Sequence, residues 1–166
     1  MLSVERLAMT FRLIRQRILW ALCCVIVAAL PQALCAQSAT DLPLSGLMQP
    51  DALVKILQSG KAAPLILNVG PHMIYAQAHI RGAEFIGSAS DPEGMQKLRA
   101  RVQSLPHTAS IVLYCGCCPW TRCPNINPAY TALRQMGFKN VKALYIANDI
   151  GADWVNKGYP TDSGKP

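Results

Sequence analysis

The feature that most constrains the fold is an alternation of short apolar runs with segments that carry helix-boundary signals. The apolar runs, rich in Val, Ile and Leu, predict buried strands at residues 64–69, 84–86, 110–114 and 141–146. Pro, Asp or Asn at the start and Gly or Pro beyond the end predict helices at residues 50–60, 91–105, 127–137 and 149–157. Residues 70–83 show neither pattern and are predicted to be irregular. The alternation predicts an α/β domain with a central, mainly parallel sheet flanked by helices.

The N-terminus carries a basic stretch followed by a short apolar one. Arginines occupy positions 6, 12, 15 and 17, and the apolar stretch at 18–30 is interrupted at Pro31. This pattern is typical of a secretory signal, and the apolar stretch is short for a membrane span. We predict a signal peptide at residues 1–36, cleaved after Ala36, and export, in a bacterium to the periplasm. An uncleaved membrane anchor is the alternative, and the predicted membrane contact is confined to this segment.

The rest of the chain has the length of one domain. We predict a short extension at residues 37–46, a domain at 47–161 and a tail at 162–166. Beyond residue 36 there are 12 Lys and Arg against 8 Asp and Glu, a formal charge of +4. These charges are scattered and not interleaved with aromatic residues, which argues against nucleic acid as a partner. The modest positive field favours small anions.

Four cysteines lie close together directly after the apolar run at 111–114. They are Cys115, Cys117, Cys118 and Cys123. In a small exported domain cysteines usually form structural disulfides, but these four could close only short loops, which stabilise a fold least. A cysteine at the end of a buried strand is held by a rigid sheet, and its loop can offer N–H groups to an anion. The spacing therefore favours reactive or metal-binding thiols.

Three blocks of sequence resemble the rhodanese-like domains. The first is Asn68-Val-Gly-Pro-His-Met-Ile-Tyr-Ala-Gln-Ala-His-Ile-Arg-Gly-Ala83, and the second is the strand Ile111-Val-Leu-Tyr-Cys115. The third is Gly137-Phe-Lys-Asn-Val141, followed by Trp154 and then Gly158-Tyr-Pro160. Together they span most of residues 47–160. The resemblance implies a rhodanese-like α/β fold and a sulfurtransferase, thiosulfate sulfurtransferase-like, whose catalytic cysteine is Cys115.

The resemblance also implies roles for the loop. Cys115 would attack a sulfane sulfur and carry it as a persulfide, while Arg122, Gly116 and Trp120 would bind an anionic donor. Arg122, loop N–H groups and the next helix N-terminus are expected to lower the pKa of Cys115. Cys117, Cys118 and Cys123 would resolve or modulate the persulfide. The expected partners are a small sulfur-containing anion, a thiol acceptor and a redox partner protein, with no cofactor.

The loop departs from the family pattern. Arg122 lies seven residues after Cys115, instead of five, and the loop from Cys115 to Gly137 is about five residues longer than usual. The segment around 146–149 is some three residues longer. Both sides of the pocket therefore differ from those of ordinary thiosulfate sulfurtransferases.

These departures leave other functions open. The four cysteines could serve a thiol–disulfide redox protein, since Cys115 and Cys118 form a Cys-x-x-Cys pair at a strand end. The same four thiolates could bind a soft metal, Cu(I) or Zn²⁺. A non-catalytic rhodanese-like binding module with an oxidised, rigid loop is the remaining alternative.

Overall fold

A computed structural model of the chain describes residues 42–60 and 62–164. The predicted signal peptide at 1–36 lies outside the described residues, as do residues 37–41, 61 and 165–166. In the described ranges, no helix combines the length and the apolar character needed to cross a membrane.

The central sheet is parallel, as predicted, and has five strands, of which the one at residues 47–48 was not predicted. They are β1 (Leu47–Met48), β2 (Leu65–Asn68), β4 (Glu84–Phe85), β5 (Ser110–Tyr114) and β6 (Asn140–Leu144). Their spatial order is β1-β6-β5-β2-β4, and every neighbouring pair is parallel. The central strand β5 is therefore paired on both sides, by β2 and by β6, which fixes the residue that follows it.

Helices connect and cover these strands. They are α1 (Pro50–Gln58), α2 (His72–Gln77), α3 (Pro92–Val102), α4 (Ile126–Gln135) and α5 (Ile150–Asp153). Short 3-10 helices occupy Leu44–Gly46, Trp120–Arg122 and Val155–Lys157. Proline occupies the first position of α1 and of α3, where its missing N–H costs no helical hydrogen bond.

The two faces of β5 contribute to two separate hydrophobic clusters. Ile111 and Leu113 lie in one cluster with residues of α3 and α4, and Cys115 joins it. Val112 and Tyr114 lie in the other cluster, with residues of α1 and α5. Side chains along a strand alternate between faces, and a parallel sheet is covered on both. The alternation thus directs Cys115 to the face covered by α3 and α4.

The prediction that residues 70–83 are irregular is wrong. This segment contains α2 and a short strand, β3 (His79–Ile80). β3 pairs antiparallel with β7 (Thr161–Asp162). The partner strand lies some 80 residues further along the chain, so no local pattern could reveal the pair.

The predicted helix at 149–157 is interrupted. Only Ile150–Asp153 is α-helical, and Trp154, with φ −133° and ψ −62°, separates it from the 3-10 turn that follows. Trp154 is fully buried and its indole N–H donates to the Pro160 carbonyl at 2.9 Å. The break places this large side chain in the core.

Candidate functional site

Cys115 is the first residue after β5, and the neighbouring strand fixes its backbone. The Asn68 amide at the end of β2 donates from Nδ2 to the Cys115 carbonyl at 3.2 Å. The Asn68 Oδ1 accepts from the Gly70 N–H at 3.1 Å. Asn68 is only 1% exposed, so both bonds are made in a water-poor environment. Asn68 therefore joins the ends of two parallel strands directly beneath the thiol.

The four loop cysteines are free thiols and lie together. The Cys117 sulfur lies 3.1 Å from the Cys115 sulfur and 3.4 Å from the Cys118 sulfur. Cys123 lines the same small cavity as Cys115 and Cys118. Cys115 and Cys123 are buried, whereas Cys117 and Cys118 are partly exposed. A cluster of this kind can exchange disulfides, carry sulfur or ligate a soft metal ion.

Asn125 contacts the Cys115 thiol and was not identified from the sequence. Its Nδ2 donates to the Cys115 sulfur at 3.3 Å, and its Oδ1 accepts from the Ser90 N–H at 2.9 Å. Asn125 is 2% exposed and precedes α4. Asn127 had been predicted to cap this helix, but α4 begins at Ile126 with Asn125 in the N-cap position. The Asn125 side chain makes no capping bond because it is used to hold the thiol.

The cluster keeps its buried thiols protonated. The hydrogen bond with Cys117, together with burial, raises the pKa of Cys115 to about 12. The pKa of Cys123 is raised by the neighbouring Cys115 thiol and by burial, and that of Cys118 chiefly by burial. The prediction that the loop lowers the pKa of Cys115 is therefore wrong. A buried thiol surrounded by other thiols loses solvation when it ionises, which disfavours the thiolate.

These pKa directions predict a loss of stability at alkaline pH. A thiol titrates near pH 8.5 in the unfolded chain, so above that pH the folded protein retains protons that the unfolded chain releases. The stabilisation is complete below pH 8.5 and is lost as the pH rises toward about 12, the pKa of Cys115. Each such thiol contributes up to about 1.4 kcal/mol per pH unit. Urea unfolding of the reduced protein at pH 8, 9 and 10 measures this loss.

The control for this prediction is the Cys115→Ala/Cys123→Ala double variant. Both proteins are kept reduced with a phosphine during the measurement. Other titrating groups are common to both proteins, so the parent should lose stability more steeply with pH than the variant. Parallel losses would show that the folded state does not hold these thiols protonated.

The residues predicted to bind substrate occupy different environments. Trp120 is buried, with its ring centre 5.3 Å from that of Tyr145, so it lines the site and does not present an exposed recognition surface. Gly116 is buried at φ +75°, a conformation that favours glycine. The Arg122 side chain is exposed on the 3-10 helix, and among the described residues it forms no ion pair. The partners hydrogen-bonded to the Cys115 sulfur in residues 42–60 and 62–164 are Cys117 and Asn125, and the Arg122 side chain is not one of them.

Two backbone hydrogen bonds join the cysteine loop to the segment before α5. The Trp120 N–H donates to the Ala147 carbonyl at 3.1 Å, and the Ile150 N–H donates to the Gly116 carbonyl at 2.9 Å. Both segments are those predicted to be longer than the family pattern. The cysteine loop and the segment at 147–150 are therefore held together by main-chain hydrogen bonds.

The space at the thiol is small. A cavity of about 10 Å³ is lined by Cys115, Gly116, Cys118, Trp120, Cys123, Ile126, Leu144 and Ile146. This volume is near the lower limit for one water molecule. A thiosulfate ion is much larger than water, so the loop must open before such a donor can reach Cys115.

Comparisons with known proteins agree with the fold. Residues 49–145 match the rhodanese-like domain family. The rhodanese-like domain of the Alr3790 protein from Anabaena sp. is 26% identical, with 71% of this chain and 79% of that chain covered and a TM-score of 0.53. The BH2092 protein from Bacillus halodurans is 21% identical, with 72% and 78% covered and a TM-score of 0.56. No curated protein matches the chain.

A larger protein shares the fold in part. EanB, in a variant solved as a cysteine persulfide with ergothioneine, is 24% identical, with a TM-score of 0.52. The alignment covers 70% of this chain but only 28% of that chain. The family match spans more than half of the sequence, and the strand that precedes Cys115 lies at the centre of a parallel sheet. This chain therefore belongs to the rhodanese-like domain family.

Proposed function

We propose that this protein is a sulfurtransferase that carries a sulfane sulfur as a persulfide on Cys115. The observation that carries the proposal is the position of Cys115 at the end of the central strand of a rhodanese-like domain, with the Cys117 sulfur 3.1 Å away. A strand end gives the nucleophile a rigid base, and the adjacent thiol gives the persulfide a resolving group. EanB, a larger protein that contains a part with this fold, has been solved as a cysteine persulfide, which supports the proposal.

The reaction would begin when the loop opens to a donor such as thiosulfate. The Cys115 thiol loses its proton to water, and the thiolate attacks the sulfane sulfur. The sulfur–sulfur bond of the donor breaks, sulfite leaves with the bonding electrons, and Cys115 carries the persulfide. The exposed guanidinium of Arg122 would hold the donor anion at the opened loop. Gly116 and Trp120 would form the floor and wall of the opened pocket.

The persulfide would then be released to a thiol. An external thiol acceptor can take the outer sulfur directly, which returns Cys115 to the thiolate. In its absence, the Cys117 thiolate can attack the Cys115 sulfur, which expels hydrosulfide and forms a Cys115–Cys117 disulfide. Two electrons from a dithiol partner protein then restore both thiols. Cys118 and Cys123 are placed to take part in this exchange.

The second candidate is a thiol–disulfide redox protein. The small cavity and the direct contacts among the sulfurs favour it, because disulfide exchange needs no anion pocket. Cys117 and Cys118 are partly exposed, so a partner thiol can reach them while Cys115 stays buried. Its substrate would be another protein's cysteine pair.

We also propose that the protein acts outside the cytoplasm, with residues 1–36 as its signal peptide, 47–161 as its domain and 162–166 as a tail. The arginine-rich start and the apolar stretch at 18–30 support this. In an oxidising compartment a cluster of free thiols needs a reducing partner, which agrees with a redox partner protein.

Intact-mass measurement tests the proposal. Reduced full-length protein, in a background with Cys23, Cys24 and Cys35 replaced by serine, should gain about 32 Da with thiosulfate and lose it with dithiothreitol. Cys115→Ala should abolish the gain, because the sulfur acceptor is then absent.

Cys123→Ala is the matched control, because it removes a buried thiol but leaves Cys115 and Cys117. It should still load sulfur. A loss of about 2 Da, with no sulfur adduct and no release of sulfite or sulfide, would replace the sulfurtransferase by the redox protein. If neither mass change occurs and the thiols still react with a thiol reagent, the remaining candidate is a non-catalytic binding module.

A further inference from the structure

We propose that Cys115, Cys117 and Cys118 form a three-thiolate site for one Cu(I) ion. Their sulfurs all lie within 4.8 Å of one another, and Cys123 is not part of this group. The inference goes beyond sulfur transfer and does not depend on it.

The spacing of the three sulfurs suits a single ion. Two edges of the sulfur triangle measure 3.1 and 3.4 Å, and the third is at most 4.8 Å. The point equidistant from the three sulfurs lies no more than about 2.4 Å from each, so an ion in their plane or slightly out of it can meet the roughly 2.3 Å of a metal–thiolate bond. Rotation of the two partly exposed side chains can adjust the remaining tenths of an ångström.

The number of ligands favours Cu(I) over Zn²⁺. Structural zinc is almost always held by four ligands in a tetrahedron, whereas three sulfurs converge here. Thiolates are soft ligands that select Cu(I), and no carboxylate or imidazole joins the group among the described residues. A monovalent soft ion with three sulfur ligands therefore agrees best with this geometry.

The surroundings supply the other requirements of a metal site. The Asn125 amide donates to the Cys115 sulfur at 3.3 Å, an outer hydrogen bond that orients this ligand. Trp120, Ile126 and Leu144 enclose the inner side and exclude water. Cys117 and Cys118 are partly exposed, so they provide an entry path and keep part of the negative charge solvated. Binding would release three thiol protons to solvent.

The test uses Cu(I) itself, added as its acetonitrile complex under nitrogen. The protein is the reduced full chain in the Cys23, Cys24 and Cys35 serine background, with bathocuproine disulfonate as the competing chelator. We expect one copper per chain by native mass and a three-sulfur shell by X-ray absorption. Cys117→Ser and Cys118→Ser should each weaken copper binding by about 100-fold or more. Loss of a residue that only hydrogen-bonds to a ligand costs about 10- to 100-fold, and loss of a ligand itself should cost at least the upper end of that range.

Thr121→Ala is the matched control, because it changes an exposed side chain of the same loop. It should bind copper as the parent does. Cys123→Ala removes a thiol beside Cys115 that lies outside the three-sulfur group, and it should weaken binding less than either ligand variant does. Equal weakening by Cys123→Ala and the ligand variants, a four-sulfur shell, or preferential binding of Zn²⁺ in a parallel titration would overturn the three-thiolate assignment. Failure to retain copper against the chelator would overturn the site itself. Sulfur loading from thiosulfate is measured separately on metal-free protein, so either proposal can fail alone.

Discussion

Trp154→Ala should lower the free energy of unfolding by about 3–5 kcal/mol, the usual cost of removing a large aromatic side chain from a core. Trp154 is completely buried, and its ring centre lies 5.2 Å from that of Tyr159 in an edge-to-face contact. Alanine would leave a cavity and would also leave the Pro160 carbonyl without its indole donor. Urea unfolding of the reduced protein, followed by circular dichroism, measures the change.

Trp154→Phe separates the two contributions. Phenylalanine retains most of the apolar volume but not the N–H donor. The Pro160 carbonyl still accepts from the Arg81 N–H at 3.0 Å, so the cost should be that of one lost hydrogen bond, about 0.5–1.5 kcal/mol. A cost below about 1 kcal/mol for Trp154→Ala would mean that the core collapses around the site. The segment around Trp154 would then be less tightly packed than the complete burial of this side chain indicates.

Gly70→Ala should slow sulfur loading of Cys115 by about 100-fold, the effect of displacing a reacting group by roughly an ångström. A Cβ on Gly70 would lie 2.7 Å from the Cys115 carbonyl oxygen and 3.1 Å from its sulfur. The first contact involves backbone, so Cys115 or the Gly70 segment must move. Gly70 has no positive φ, so the requirement is for space and not for conformation. The initial rate of the thiosulfate mass gain measures the effect.

Gly82→Ala is the control for this prediction. A Cβ there meets nothing within 4 Å, but φ is +74°, so the substitution costs only backbone strain, about 1–2 kcal/mol. The control should lose stability and still load sulfur at the parent rate. Loss of loading in both variants would assign the effect to general destabilisation, and unchanged loading in Gly70→Ala would show that the thiol site tolerates the added methyl.

The fold could be predicted because its signals are local. Each signal lies in, or directly next to, the element that it defines. Examples are the apolar run of β5, the proline at the start of α1 and Gly137 just beyond the end of α4. The order of such elements determines a parallel α/β sheet, since parallel strands need crossover connections. The resemblance to rhodanese-like domains added the family, which the match of residues 49–145 confirmed.

What could not be predicted depends on contacts between distant segments. Strand β3 exists because β7 pairs with it, and both are only two residues long. Asn125 lies ten residues from Cys115 in the sequence and 35 residues from Ser90. No local sequence pattern therefore shows that it donates a hydrogen bond to the Cys115 sulfur. In the sequence it resembles an ordinary helix-capping residue, as its neighbour Asn127 does.

The ionisation of Cys115 was mispredicted for a related reason. Sequence spacing showed that thiols and Arg122 follow Cys115, but not that the thiols are turned inward and the guanidinium outward. Whether a neighbour raises or lowers a pKa depends on its distance and on the water left around the group. Neither quantity can be inferred from the order of residues in a loop that lacks regular secondary structure.

The pair of backbone hydrogen bonds that joins the two loops has a kinetic consequence. An opening that moves the cysteine loop away from the segment at 147–150 would break the bonds from Trp120 to Ala147 and from Ile150 to Gly116, and such openings occur locally, without global unfolding. When opening is slower than the chemistry, reagents of very different strength consume the thiol at the same rate. The protein then discriminates between partners by their ability to bind the opened loops and keep them apart. A small oxidant reacts with Cys115 no faster than the loops open, however reactive it is.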